Sequence, residues 1–233
     1  MIRATLAAAA LFSAVMAGCG GGDDNGAAAS EQTRQALLVM VLGKNDVPAD
    51  LQSLGGSYST NAEAAQGLGS GPSEQQLNDW GRILGYKEDF QAVAPSDESA
   101  INAVSTAVSL YKSDSGAADS FKDRVATARR VDWATSHSDL QQFQQEELNR
   151  NLPVDDSFWL HFTGFKEVSP GKTVLIADDE VVFRVGRAWG FEGIISRAAA
   201  GETDRSFFLP QVEALVLRQV SQMKMRLAAG GLD

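Results

Sequence analysis

The chain has 233 residues, 30 acidic against 20 basic side chains, and a formal net charge of −10. An anionic surface is repelled by phosphate backbones and by anionic headgroups, which argues against nucleic-acid binding and against docking to a membrane through a basic patch. There is one cysteine, so no disulfide framework is available, and the folded part must be held by its own core.

Arg3 opens a short positive region, and residues 4–15 form an apolar stretch of about a dozen residues, the length of a secretory signal rather than of a membrane span. Small residues Ala17 and Gly18 then precede Cys19. The segment Met16-Ala17-Gly18-Cys19 resembles the lipobox of bacterial lipoproteins, with Met16 where that box usually carries Leu. The resemblance implies cleavage after residue 18 and diacylation of the Cys19 thiol with palmitate-type chains. It also implies a protein held at the cell membrane or outer membrane, facing the extracytoplasmic side. Each buried methylene contributes about 0.8 kcal/mol, so two or three chains give near-permanent attachment. Loss of Arg3 with the signal takes the mature charge to about −11.

The expected organisation is a signal peptide over 1–18, a flexible tether over 19–35 and a single globular domain over 36–230. The tether is rich in Gly, Asp, Asn and Ser without apolar periodicity. The apolar run 37–42 is read as a buried strand, with the end of a helix begun near Ser30 as the alternative. Residues 52–72 read as a long surface loop with one helical turn near 62–66. Within it, Gly67 to Pro72 lacks the strand and the Gly-Lys pair of a phosphate-binding loop.

Ser73 and Gln76 form a capping-box pattern, and Leu77, Trp80 and Leu84 predict a helix ended by Gly85. Residues 86–94 read as extended. Residues 101–111 alternate as a strand, with Val104, Val108 and Leu110 on one face. Ser113 or Asp114 caps the next helix, whose stripe is Ala118, Phe121, Val125 and Ala128. Ser138 with Gln141 predicts a peripheral helix over 138–149.

Strands follow over 157–165, 173–176, 180–185 and 188–196. The acids Asp178 and Asp179 are assigned to a turn between the second and third, and Gly186-Arg187 to a tight turn. The last helix opens at Pro210 and carries Leu209, Val212, Val216, Gln219, Met223 and Leu227 on one face. A faint echo of strand, strand and helix occurs at 86–130 and 180–228, without a shared residue motif.

This order predicts an α+β fold, a mainly antiparallel sheet packed by amphipathic helices as a two-layer sandwich. The strand 104–110, the helix around Ala117-Ala118 and Phe121, Trp133 soon after, and the final amphipathic helix together resemble the extracellular sensor domains of mycobacterial receptor kinases and related small lipoproteins. The disulfide cysteines of the kinase sensors are missing here.

No nucleophile elbow, metal spacing or cofactor motif is present. The two histidines are His137 and His161. His137, in a polar turn, is given no role. His161, alternating with Phe158, Leu160 and Phe162, is read as a partly covered sheet residue. The pairs Asp155-Asp156 and Asp178-Asp179 are read as solvated turn carboxylates.

Aromatic residues crowd the C-terminal half, and most are expected in the core. A sharper expectation is an apolar groove between the sheet and the last helix, lined by Trp159 and Trp189. Arg184 and Arg187 at its mouth would hold an anionic head group. The reading is a non-enzymatic, membrane-anchored binding domain, with no catalytic residue, metal or cofactor assigned. Its partner is a small apolar or anionic ligand, or an envelope protein. The alternative is an envelope hydrolase using His161 with an unidentified Ser or Asp partner.

Overall fold

The computed structural model describes residues 29–67, 71–94 and 99–232. The signal, Cys19 and the tether up to residue 28 lie outside the described residues, as does most of the Gly-rich segment before Pro72.

Seven strands form one sheet in the order β1-β2-β3-β7-β6-β5-β4, and every neighbouring pair is antiparallel. They are β1 (Leu51–Ser59), β2 (Arg82–Ala92), β3 (Ala100–Tyr111), β4 (Gln141–Leu148), β5 (Asp156–Ser169), β6 (Lys172–Val185) and β7 (Ala188–Arg197). The helices are α1 (Glu31–Met40), α2 (Asn61–Gly67), α3 (Glu74–Asp79), α4 (Asp114–Ala128), α5 (Trp133–Ser136) and α6 (Leu209–Ala228). The fold is α+β, with a first meander β1–β3 and a second β4–β7 joined where β3 pairs with β7.

Helices take both faces of the sheet, which adds a third layer to the two expected. On one face α1 and α6 pack on each other and on the central strands. Alternation along the strands sends Val104, Val108, Trp159, Val181, Phe183 and Ile194 to this side, where they meet Leu37, Met40, Val212, Val216 and Met223. Gln219, the one polar residue in the α6 stripe, donates to the Ala107 carbonyl at 3.0 Å. On the other face Phe158, Leu160, Phe162, Val182 and Phe191 meet Phe121 and Val125 of α4 and Trp133 of α5. The echo of strand, strand and helix is real as element order (β2-β3-α4 and β6-β7-α6), but α4 and α6 lie on opposite faces.

The local expectations fail in five places, each for a visible reason, although at 37–42 the stated alternative, a helix begun near Ser30, holds. Residues 37–42 end a helix instead of forming a strand. Ser30 caps α1 by accepting from the Thr33 N–H at 3.2 Å, and Thr33, Ala36, Leu37 and Met40 are its buried stripe. The helix therefore reaches into the segment assigned to the tether. Residues 51–59 form β1, an edge strand exposed along most of its length, so no apolar alternation marks it. The helix expected to run to Leu84 stops early: Gly81, with φ 71°, turns the chain out of α3, and Leu84 and Gly85 belong to β2.

Residues 141–148 are the opposite edge strand, not a helix. Their pairing with β5 overrides the capping pattern and carries a bulge, with Gln142 at φ 52°. In the same way 173–176 and 180–185 are one strand. The acids between them are mid-strand residues of β6, and Asp178, Asp179 and Glu180 are all buried. Among the described residues no helix is long and apolar enough to cross a membrane.

Candidate ligand cavity

A cavity of about 130 Å³ lies on the α4 face, over β2, β3 and β7. Trp189 and Phe191 of β7 and Ala107 of β3 form its apolar floor, and Ala64 of α2, Pro72 and Leu77 of α3 form one wall. The opposite wall is α4, through Ser120, Asp123, Arg124 and Thr127. For scale, a cavity of about 150 Å³ lined by apolar side chains accepts benzene.

The polar groups are placed by the strands. Alternation on β3 sends Ser105 and Ser109 to this face, and Ser57 and Ser59 do the same from β1. Arg82, at the start of β2, is 6% exposed. Its Nε donates to Ser109 Oγ at 3.1 Å, one Nη to the Ser59 carbonyl and to Asn61 Oδ1 at 3.0 Å each, and the other Nη to Ser59 Oγ at 2.8 Å. Burial lowers its pKa, with Tyr111 and Glu63 pulling the other way. Trp189 lies half-buried at the floor, its indole N–H donating to the Tyr111 hydroxyl at 2.6 Å, and that hydroxyl shares a 2.7 Å hydrogen bond with Ser120.

Beneath α4, Arg124 faces the buried Glu180 of β6. Burial takes the Arg124 pKa down to about 10, against the pull of Glu180, Tyr111 and Asp123. Burial, followed by the neighbouring Asp178, drives the Glu180 carboxyl well above the usual range.

The four residues assigned to a groove beside α6 are not brought together as a set, although Arg184 and Trp189 are cross-strand partners between β6 and β7. Trp189 lines the cavity, which lies on the face away from α6. Trp159 is 1% exposed on the α6 face, its indole donating to Asp179 Oδ1 at 2.7 Å. Arg184 is committed to Asp156 at 2.6 Å and to the Gly186 carbonyl at 2.9 Å. Arg187 donates to the Tyr111 and Leu232 carbonyls. Trp159 of β5 and Trp189 of β7 have β6 between them, and alternation points them to opposite faces of the sheet.

Both histidines are interior. His161 Nδ1 lies 2.8 Å from Asp179 Oδ1 and Nε2 lies 2.9 Å from the Arg205 carbonyl. His137 Nε2 lies 3.2 Å from Asp178 Oδ2, and Nδ1 lies 2.9 Å from the Trp133 carbonyl. Phe162 and Phe143 stack on His137 with centroids at 4.7 and 5.1 Å. Carbonyls and ionised carboxylates only accept, so with Asp178 and Asp179 ionised both nitrogens of each ring donate and the charged form of each histidine is favoured.

Burial lowers both histidine pKa values, but the hydrogen bonds and charge of Asp178 and Asp179 outweigh it, and the net direction is upward. A carboxylate partner for His161 is therefore present, as the hydrolase alternative requires. An imidazolium with both nitrogens occupied, however, has no lone pair with which to accept a proton from a nucleophile. Sequence reading missed both pairs because Asp178-Asp179-Glu180 looks like a turn. The available signal was register: two adjacent acids in a strand face opposite ways, and the chain holds two histidines to meet them.

Among the described residues no group of His, Cys, Asp and Glu has the arrangement to hold a metal ion. No family model matches the chain, and no curated protein matches it. Among solved structures, the extracellular domain of PknH from Mycobacterium tuberculosis aligns over 82% of this chain and 96% of its own, at 11% identity and a TM-score of 0.38. That protein is of the class the order of elements resembles, and the likeness is too distant to carry a fold or a function across.

Proposed function

We propose that the chain is an extracytoplasmic lipoprotein, anchored through Cys19, whose domain binds a small, largely apolar molecule without transforming it. The observation that carries the reading is the cavity between α4 and the α2–α3 segment, floored by Trp189, Phe191 and Ala107. Native interiors leave few voids larger than a water molecule, and a concave apolar site with a few convergent polar groups is the usual form of a ligand pocket. The lipobox pattern at 16–19 supports the anchor. The occupied nitrogens of His161 support binding over hydrolysis.

The binding test is calorimetric titration of the chain with toluene, a ring of the right size, beside Ala107→Leu, which fills the floor. The expected result is saturable one-to-one binding that Ala107→Leu removes. Equal binding by both proteins, or none by either, contradicts the cavity as the site. The anchor is tested separately, by mass spectrometry of the membrane-extracted protein: a diacylated Cys19 at the new N-terminus is expected, and an intact residue 1 contradicts it.

A further inference from the structure

Arg82 is a buried cation with neutral company. All four of its hydrogen bonds go to a hydroxyl, a carbonyl or an amide oxygen, and no carboxylate lies in ion-pair range of it among the described residues. Glu63, the acid whose charge reaches it, is exposed and bound to Thr60 at the start of α2. A buried charge without a counter-ion is costly unless something completes it.

The space beside that charge is built. Gly85 follows Arg82 on β2, and a Cβ there would lie 2.8 Å from Ser59 Oγ and 3.1 Å from Ser109 Oγ, and would collide with an Arg82 Nη. Only a glycine there lets the guanidinium and the two hydroxyls pack together against the strand, which brings three donors side by side. The Ser59 and Ser109 hydroxyls accept from Arg82, which leaves their own hydrogens, and one N–H of the guanidinium, to donate elsewhere. All three residues line the cavity.

Its lining residues include three cations, Arg82, Lys87 and Arg124, against the single carboxylate Asp123, in a chain whose net charge is −10. Lys87 is paired with Asp89 at 2.8 Å, and Arg124 faces Glu180. Arg82 alone of the three has no acid set against it at close range.

We infer that the ligand of this cavity is a small aromatic or branched monocarboxylate. Its carboxylate docks on the cavity side of Arg82, Ser59 and Ser109, and its apolar body lies on Trp189, Phe191 and Ala107. This rests on the cavity being the binding site. An ionised acceptor meeting a guanidinium and two hydroxyls out of bulk water makes charge-assisted hydrogen bonds, and the planar ring of such an acid, about nine heavy atoms, matches the volume.

The experiment is calorimetric titration of the full chain at neutral pH with benzoate, with benzamide (the same shape without the charge) and with toluene. Benzoate is expected to bind at least tenfold tighter than benzamide. Arg82→Met should bring benzoate down to the benzamide level while leaving toluene unchanged. Should Arg82→Met not fold, Ser109→Ala is expected to weaken benzoate several-fold and benzamide less. Benzamide binding as well as benzoate overturns the carboxylate inference and leaves the cavity standing. Failure of all three probes overturns the cavity and the inference together.

Discussion

The two faces of the sheet are built from the same strands by the same alternation, yet they end differently. On the α1–α6 side the side chains of β3, β5, β6 and β7 meet two packed helices, and Trp159, Phe183, Ile194 and Val216 are sealed to 1% exposure or less. On the α4 side one long helix and three short ones, α2, α3 and α5, share the cover, and the space between α4 and the α2–α3 segment stays unfilled over Trp189. Two long helices laid together on a sheet close it; one long helix flanked by short ones leaves a gap.

The largest expected contrast is in core truncation. Phe183→Ala on the sealed face should cost about 3–5 kcal/mol, a fully buried ring replaced by a cavity. Trp189→Ala, which borders space already empty and is only part-buried, should cost less, about 2 kcal/mol. Urea denaturation of both variants measures the difference, and equal losses would erase the distinction between the faces.

The acid–histidine pairs sharpen it from the opposite direction, since Asp178 and Asp179 are adjacent residues facing opposite sides. Removing either charge leaves a buried imidazolium uncompensated, and breaking such a pair costs about 3 kcal/mol. Asp178→Asn and Asp179→Asn should therefore lose similar amounts. If only one of them mattered, one face would be tolerating an unpaired charge.

The pH dependence follows from the same groups. Burial drives the Glu192 carboxyl far upward despite the hydrogen bond from Thr106, and Glu180 moves upward as well. An acid kept neutral in the fold and ionised in the unfolded chain weakens the fold as pH rises above its ordinary value near 4.5. The histidines add to the same slope at higher pH. Their raised pKa values give stability that is complete below their ordinary value of 6.5 and lost as pH rises through the folded value.

Stability should therefore fall steadily from pH 5 to pH 9. Glu192→Gln should flatten the fall by up to about 1.4 kcal/mol per pH unit, the slope of one proton. Denaturation midpoints across the pH range decide it, and a curve that rises between pH 5 and 7 would contradict the buried acids. The smallest effect belongs to the cavity: Ala107→Leu should change stability by less than about 1 kcal/mol, because it fills space instead of crowding a core.

The same contrast decided what could be read from the amino acids. Elements with a strong buried stripe were legible. α4 and α6 begin within a residue or two of their expected caps, and β3, β5 and β7 lie where alternation and β-branching put them. The two edge strands were not, because β1 and β4 are mostly exposed, so their Gln, Ser and Gly residues follow no period and only pairing with β2 and β5 makes them strands. Of the expected site only Trp189 lies at the cavity. Arg82, Ser59 and Ser109 come from three strands, 23 and 27 residues apart along the chain, and meet only through register. A register is not visible when one of those strands looks like a loop.

The most direct measurement uses Trp159 and Trp189, one on each face. In a spectrum of the ¹⁵N-labelled chain the four indole N–H signals can be assigned by single Trp→Phe replacements. Titration with toluene should move the Trp189 signal along a saturating curve and leave Trp159 still. Movement of Trp159 instead, or no movement of Trp189 at saturation, would contradict a binding cavity on the α4 face.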